Sequence, residues 1–293
     1  MPTIITVNFN GSEETCELLR SLERQTDRLF DVIVVDNDSE AADREAIAAY
    51  AATSTLRLDV IYSEWNRGFS GGCNLGIRKA LAQNTDWVLL LNNDTTVDPG
   101  FLESIHRQLP GRPSIVGIPL NEGDRTAYAG RIRWLASTLP HVDTHPSVDS
   151  TMTYAIGGGM LVHRDVFERI GLLDERFFLY FEDAEFSMRA RRAGIPFLWL
   201  SHPSAKHRES ASTAKLGSPL LLRYHMRNAL LFNALQGPWW VRISLLHWSI
   251  LSMVKQGMKM VFMPDRRSPS RAIALGIVDF YANRFGKIAD RRY

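Results

Sequence analysis

Cysteine is nearly missing: the 293-residue chain has two, Cys16 and Cys73, without the paired spacing of a disulfide framework or a zinc site. A reducing, cytoplasmic setting is the expectation that follows. A dominant charge is missing too. Thirty-four Lys plus Arg stand against 32 Asp plus Glu, for a formal net charge of +2. That balance excludes the broadly basic surface of a general nucleic-acid binder, and no nucleic-acid partner is expected. The opening residues Met1 to Val7 already read as a strand and lack the basic start and apolar core of an export signal. Internal repeats and low-complexity tracts are absent, and so is any apolar run of the ~20 residues needed to cross a bilayer.

What the chain does have is 45% hydrophobic residues, enough to bury a substantial core. Over roughly the first 120 positions, strands expected at 4–7, 32–35, 58–62 and 87–91 alternate with helices at 13–25, 43–52 and 72–83. Such alternation reads as right-handed crossovers and a parallel sheet. Val88-Leu89-Leu90-Leu91 supports this, because an apolar run without polar alternation suits a strand buried on both faces. The predicted fold class is therefore α/β, a Rossmann-like, mostly parallel sheet flanked by helices. Residues 117–146 are less regular and read as a hairpin or a mobile flap. A strand entered through glycines follows at 155–162, then a short helix at 165–170 closed by Gly171. From about Ser218 the composition turns helical and apolar, which divides the chain into 1–215 and a helical region at 216–293.

Polar residues gather where the strands stop. The fourth ends in Asn92-Asn93-Asp94-Thr95. Ligands in α/β sheets bind at the carboxyl ends of the strands, and two amides plus a carboxylate offer oxygens to a hard divalent cation carrying a diphosphate. The plain alternative is a turn whose side chains bond their own backbone. The first strand ends in Asn8-Phe9-Asn10-Gly11 and the second in Asp36-Asn37-Asp38-Ser39. A carboxylate such as Asp36 can accept the imide hydrogen of uracil or thymine, although a turn and a helix cap explain the same residues. Asn66-Arg67-Gly68-Phe69-Ser70-Gly71-Gly72 places three glycines before a helix whose unpaired amides suit an anion or a ribose oxygen, without the Walker lysine.

Downstream, Phe177-Phe178-Leu179-Tyr180-Phe181 leads into Glu182-Asp183-Ala184-Glu185, acids that open a helix closed by Gly194 and Pro196. Acids in a first turn often serve only the helix dipole. A carboxylate hemmed by Phe and Tyr is desolvated, however, which raises its proton affinity and suits it to take a proton from a sugar hydroxyl. His207 lies just beyond a strand at 197–200, where a lone histidine is usually solvated.

Taken in order, the segments around Asn8, Asp36, Asn66 to Gly72, Asn92 to Asp94, Gly157 to Met160, Glu182-Asp183 and His207 resemble the family-two glycosyltransferases, particularly their rhamnosyltransferase-like branch, over residues 3–212. The resemblance implies a GT-A fold, a nucleotide-diphospho-sugar donor and a role for each matching position. Asp36 would recognise the base. Asn66 and Gly68 would line the nucleotide pocket, with Asn8, Asn10, Gly72, Asn93, Gly158 and Gly159 beside them. Asn92 would face the ribose or diphosphate. Asp94 would ligate Mg²⁺ or Mn²⁺, and His207 would complete the metal site. Asp183 would be the catalytic base, with Glu182 as second candidate. The usual Asp-x-Asp stands here as Asn92-Asn93-Asp94, one carboxylate where many members have two. The implied reaction is an inverting displacement that moves a sugar, foremost rhamnose from dTDP-rhamnose, onto a hydroxyl of a polyprenyl-linked or cell-surface glycan. The alternatives are a UDP-hexose or UDP-galactofuranose donor, or a non-catalytic nucleotide-binding scaffold of the same pathway.

Within 239–263, Trp239, Ile243, Leu246, Ile250, Met253, Val254 and Val261 share one helical face, and Arg242, Ser249, Ser252, Gln256 and Lys259 the other. The longest uncharged stretch there, 243–254, is too short to span a bilayer. Such a helix lies in the membrane interface, here the inner face of the plasma membrane, or packs on the catalytic domain or on a second copy of the chain as a homo-oligomer. Arg223 and Arg227 share a face of a helix at 220–235, where they suit a diphosphate or an ion pair to the main domain.

Overall fold

The computed structural model describes residues 2–146, 150–207 and 218–289. The first half repeats strand and helix: β1 (Pro2–Asn8), α1 (Ser12–Glu23), β2 (Asp31–Asp36), α2 (Ala41–Thr53), β3 (Leu58–Tyr62), α3 (Gly68–Ala82) and β4 (Trp87–Leu91). Then come β5 (Thr95–Thr96), α4 (Phe101–Gln108) and β6 (Ile115–Gly117). Four short strands follow, β7 (Leu120–Asn121), β8 (Thr126–Ala127), β9 (Ala129–Arg131) and β10 (His141–Val142), and after them β11 (Thr153–Tyr154) and β12 (Gly159–His163). Two helices, α5 (Arg164–Ile170) and α6 (Glu182–Arg192), precede β13 (Phe197–Trp199) and β14 (Ala205–His207). The C-terminal helices are α7 (Pro219–Gln236), α8 (Trp239–Phe262) and α9 (Arg267–Tyr281).

The main sheet has the order β13-β6-β12-β4-β1-β2-β3. Its neighbours pair in parallel except β12, which runs antiparallel to both β4 and β6. This one reversal matters for function. It sets Gly159 opposite Leu91, so the glycines entering β12 sit at the carboxyl end of β4, beside the polar triplet. Both faces of the sheet are covered. Ile4, Val32, Val34, Leu89 and Leu91 pack into one buried layer and Ile5, Ile33, Val35, Val88 and Leu90 into the other. That two-sided burial explains the unbroken apolar runs. Each such Leu or Ile contributes about 1.5–3 kcal/mol by leaving water, and Leu90→Ala would cost about 2–5 kcal/mol because the packed layer cannot collapse onto the void.

The structure corrects one element and details another. First, α3 begins at Gly68, four residues before the expected start at 72. Gly72 is inside the helix, where a Cβ would lie 2.8 Å from Val7 Cγ1. The glycines there let a helix lie close against β1, so the stretch that reads as a phosphate loop is largely a packing surface. Second, residues 117–146 form strands of two small sheets, β5-β14-β7-β8 and β10-β9-β11. Of the expected hairpin or flap the structure has the hairpin, twice, since β7 pairs β8 and β9 pairs β10 antiparallel, and the strands are short enough to give little periodic signal.

The expected division at 215/216 lies outside the described residues. Beyond it, Met226 and Leu230 of α7, Leu245 of α8 and Ile277 of α9 form a small core. The face of α8 turned inward carries Val241, Leu245, Ser249 and Gln256. Ser249 Oγ accepts a hydrogen bond from Tyr281 at 3.0 Å. Trp239, Ile243, Leu246, Ile250, Val254 and Val261 point outward. The smaller, partly polar face therefore packs on α7 and α9, and the apolar stripe is exposed. No helix among the described residues is long and apolar enough to cross a membrane.

Candidate active site

A chain of buried side chains connects the ends of β2, β1 and β4. Asn8 Nδ2 donates to Asp36 Oδ2 at 3.0 Å, Thr15 Oγ1 donates to Asn8 Oδ1 at 2.9 Å, and Asn93 Nδ2 donates to Thr15 Oγ1 at 3.1 Å. Asn8 also donates to Ser39 and Asp43. It is wholly buried, and every polar atom of its side chain is engaged within the protein. Asn8 thus braces the strand ends, with its side chain engaged within the protein.

Asp36 is equally buried and accepts from Ser39 N at 3.2 Å and Arg44 Nε at 2.9 Å. Its accessible neighbour is Asp38, in left-handed backbone at φ 72°, whose carboxylate accepts from Asn66 N at 3.2 Å and faces Arg44. Asn66 Oδ1 in turn accepts from Gly68 N at 2.8 Å. Gly68 has φ +72°, and a Cβ there would lie 2.2 Å from the Phe178 carbonyl, to which Phe69 N donates at 2.7 Å. Glycine is required at that contact. Asn10 is exposed and ties the two loops together through Glu40 N and Ser39 Oγ. Gly72 and Gly159 serve packing, the latter because a Cβ would meet the Ile118 carbonyl at 2.9 Å.

At the end of β4, Asp94 Oδ1 faces His207 Nε2 at 3.2 Å, with the two side chains 10% and 17% accessible. Burial depresses the His207 pKa, but the hydrogen bond and charge of Asp94, aided by Glu122, outweigh it and raise the imidazole above its ordinary value. Glu122 stays ionised: the hydrogen bond from His141 brings its carboxyl down to about 2, against the opposing effect of burial. Asn92 lies against Gly158, whose missing side chain leaves room for the amide 2.7 Å from where a Cβ would be.

The aromatic run ends in strained backbone. Phe178, Tyr180 and Phe181 all have positive φ, at 62°, 70° and 74°. Such conformations cost about 1–3 kcal/mol each for bulky residues and persist only where surroundings impose them. Here α7 imposes them. Asn228 Nδ2 donates to the carbonyls of Phe177, Leu179 and Tyr180 at 2.6, 2.7 and 3.2 Å. Buried Arg227 reaches the Phe177, Arg284 and Gly286 carbonyls. His225 stacks on Tyr180. The loop delivers Glu182 and Asp183 as the first residues of α6.

The two acids differ. Asp183 accepts from Gly157 N at 3.0 Å and Ala184 N at 2.7 Å and keeps part of its surface accessible. Burial raises its pKa, while those backbone donors restrain the rise. Glu182 is 5% accessible and its Oε2 has no hydrogen-bond partner. Burial first, and the Asp183 charge second, push its carboxyl up to about 8. Glu185, the third acid, is buried in an ion pair with Arg189 and bonded to Gln236 at 2.9 Å.

Asp94 and His207 fit a divalent cation by chemistry: one carboxylate oxygen and one imidazole nitrogen, adjacent and sheltered. No group of three or more potential ligands occurs among the described residues. The remaining positions would fall to phosphate oxygens and water, the usual arrangement for Mg²⁺.

The structure therefore brings together Asn92, Asn93, Asp94, Gly158, Asp183 and His207 on one lip, and Asn10, Asp36, Asn66 and Gly68 on the other. Arg223 and Arg227 belong to neither, since Arg223 pairs with Asp279 at 2.9 Å and Arg227 is buried. Sequence reading missed Arg44, Thr15 and Asn228. Nothing marks Arg44 among 34 cations. Asn228 left a trace, as an Arg-Asn pair interrupting an apolar helix.

Residues 3–171 match the model of the family described as Glycosyl transferase family 2. The chain is 30% identical over 239 residues to the low-salt glycan biosynthesis hexosyltransferase Agl10 of Haloferax volcanii, covering 78% of this chain and 74% of that protein. It is 23% identical over 304 residues to the N-acetylglucosaminyl-diphospho-decaprenol L-rhamnosyltransferase of Mycobacterium tuberculosis, covering 93% and 96%. The solved structure of the mannosyltransferase PcManGT from Pyrobaculum calidifontis, in complex with GDP-Man and Mn²⁺, superposes with a TM-score of 0.57 at 13% identity over 97% and 87% of the two chains. The protein belongs to glycosyl transferase family 2 and has the GT-A fold.

Proposed function

We propose that this family 2 glycosyltransferase transfers rhamnose from dTDP-rhamnose, with inversion, to a hydroxyl of a polyprenyl-linked or cell-surface glycan. The observation that carries the reading is Asp183: a partly accessible carboxylate, aimed by the Gly157 amide toward the end of β4 where Asp94 and His207 meet. The acceptor hydroxyl gives its proton to Asp183 as its oxygen bonds to the anomeric carbon. The bond from that carbon to the donor diphosphate breaks, and the nucleoside diphosphate leaves with the electron pair. Attack opposite the leaving group inverts the configuration. Asp94 and His207 would hold a divalent cation, which would supply charge neutralisation for the diphosphate. Glu182 is the more enclosed of the two acids, with a carboxyl pushed up by burial and by the Asp183 charge, and stands beside Asp183 as the second candidate. The turn from Asp36 to Ser39 with Asn66 receives the nucleoside, and exposed Phe9 offers its ring as a platform for the base.

Rhamnose and a lipid-linked acceptor follow the Mycobacterium tuberculosis relative. The Haloferax volcanii hexosyltransferase favours a second reading, transfer of a hexose other than rhamnose. A donor panel separates them: nucleoside diphosphate release in the presence of Mg²⁺ or Mn²⁺ should be fastest with dTDP-rhamnose. Faster release from a UDP-hexose or UDP-galactofuranose would replace the donor, and no release from any sugar nucleotide would sink the enzymatic reading in favour of a nucleotide-binding scaffold. The outward apolar face of α8, with exposed Lys255, Arg266 and Arg267 nearby, supports attachment to an anionic membrane surface.

A further inference from the structure

Glu122 and His141 join the two small sheets at the edge of the site. Glu122, in the turn after β7, accepts from Arg125 Nε at 2.8 Å and meets His141 Nδ1 of β10 at 2.8 Å. The His141 bond above all holds the Glu122 carboxyl at about 2; an ionised carboxylate only accepts, so the shared proton is on Nδ1. Among the described residues nothing bonds the other ring nitrogen, Nε2, and the His141 side chain is 29% accessible. That nitrogen is fixed in direction by Glu122 and is unused within the protein.

The pair has one end of the site on either side. β7 runs parallel to β14 with Asn121 opposite Lys206, which sets Glu122 and His207, the next residue on each strand, side by side. On the other side, His141 and Tyr154 both pair with Gly130 of β9, so the three form one row across the sheet with their side chains on the same face. A Cβ on Gly130 would lie 2.0 Å from Tyr154 Cζ, so the tyrosine ring lies across β9 toward the strand that carries His141. Tyr154 shares a buried cluster with Phe181 and Ala184, which flank the two acids, and Gly157, three residues further on (157 − 154), donates to Asp183. The His141 charge reaches Asp183: burial raises that carboxyl's pKa most, and His141 lowers it after the two backbone donors. His141 thus stands between His207 and Asp183. In an inverting displacement the transferred sugar occupies that interval, because the diphosphate leaves from one side of the anomeric carbon and the acceptor oxygen arrives from the other.

We propose that His141, aimed by Glu122, binds a hydroxyl of the transferred sugar through Nε2 and so helps to set which sugar nucleotide is used. With the hydrogen on Nδ1, Nε2 of the neutral ring accepts the hydrogen of that hydroxyl. A site built to bond a hydroxyl discriminates against sugars that lack or misplace it, because its own polar group is then left unpaired beneath the bound sugar. The assignment rests on the glycosyl-transfer reading, and variants at His141 test it separately from that reading.

Two amides separate this role from a purely structural one. Asparagine carries its NH₂ near the place of Nδ1 and keeps the Glu122 bond without the distal nitrogen, whereas glutamine reaches the distal place and gives up that bond. Release of dTDP from dTDP-rhamnose, measured on the full chain with Mg²⁺ and no acceptor, gives kcat/KM, and inhibition by added dTDP gives the affinity of the nucleotide alone. Where a UDP-hexose is released faster, that donor and UDP take their place. His141→Asn should lower kcat/KM at least ~5-fold, the loss of one hydrogen bond, with dTDP inhibition and melting temperature nearly unchanged. His141→Gln should retain more of the rate than His141→Asn. A pair that only ties the two sheets together gives the reverse order, and His141→Gln worse than His141→Asn would overturn the assignment. So would an unchanged kcat/KM in both variants, an equal weakening of dTDP inhibition, or a loss confined to the KM of an added acceptor. Any of these results beside normal release in the parent chain would remove His141 and leave the proposed function standing. No release by the parent chain from any sugar nucleotide would sink that function and this assignment with it.

Discussion

The side-chain amide of Asn228 meets the Phe177 carbonyl at 2.6 Å, tying a helix near the end of the chain to the loop that delivers Asp183. One amide group there also serves Leu179 and Tyr180, in a stretch where three aromatic residues adopt left-handed backbone. Asn228→Ala leaves those carbonyls without their donor, which costs about 1–3 kcal/mol. The melting temperature should fall and kcat should drop at least ~10-fold, with donor KM within a few-fold, because the proposed base is displaced while the nucleotide end is intact. Equal loss of kcat and donor affinity would mean that the loop serves the donor.

Glu182 predicts an unusual pH dependence of stability. Its folded pKa of about 8 lies above the ordinary value of 4.5, so the folded protein holds a proton that the unfolded chain releases. The stabilisation is complete below the ordinary value and is lost as pH rises through about 8. Glu182→Gln removes the proton linkage. Melting curves should show the variant gaining on the parent between about pH 5 and pH 9, and parallel curves would show that Glu182 is ionised in the fold.

With Asp94 and His207 proposed as cation ligands, nucleoside diphosphate affinity should depend on added cation. Calorimetry with EDTA should show binding at least ~10-fold weaker than with Mg²⁺ or Mn²⁺, and Asp94→Ala should reproduce the EDTA result. Identical affinities with and without EDTA would remove the metal from this site.

Legibility in the sequence followed the range of the interactions. The alternation of strands and helices was readable because burial on both faces of the sheet writes itself into runs such as Val88 to Leu91. The antiparallel insertion of β12 was not, since strand direction depends on chain path. Asp94, His207 and Asp183 were visible as polar residues at element ends, a pattern that local sequence displays. Asn8 looks the same in sequence as Asn92, and only its three-sided contact with Asp36, Asp43 and Thr15 shows that it braces the site. The amphipathic stripe of α8 was likewise readable. Which face turned inward was decided by the fit of Ser249 and Gln256 against neighbouring helices.

That stripe predicts membrane attachment. Ile250 and Val254 are 53% and 55% accessible, so Ile250→Glu with Val254→Glu should leave the melting temperature nearly unchanged while reducing sedimentation with anionic vesicles. Undiminished sedimentation would assign the face to a protein partner.

The most direct test of the account is Asp183→Asn, which retains size and removes the proton acceptor. Donor and nucleoside diphosphate affinity, by calorimetry, should stay within a few-fold, while sugar transfer falls at least ~100-fold. Transfer at a near-normal rate in Asp183→Asn would contradict the assignment of the base, and loss of donor binding with transfer would move Asp183 from the chemistry to the sugar pocket.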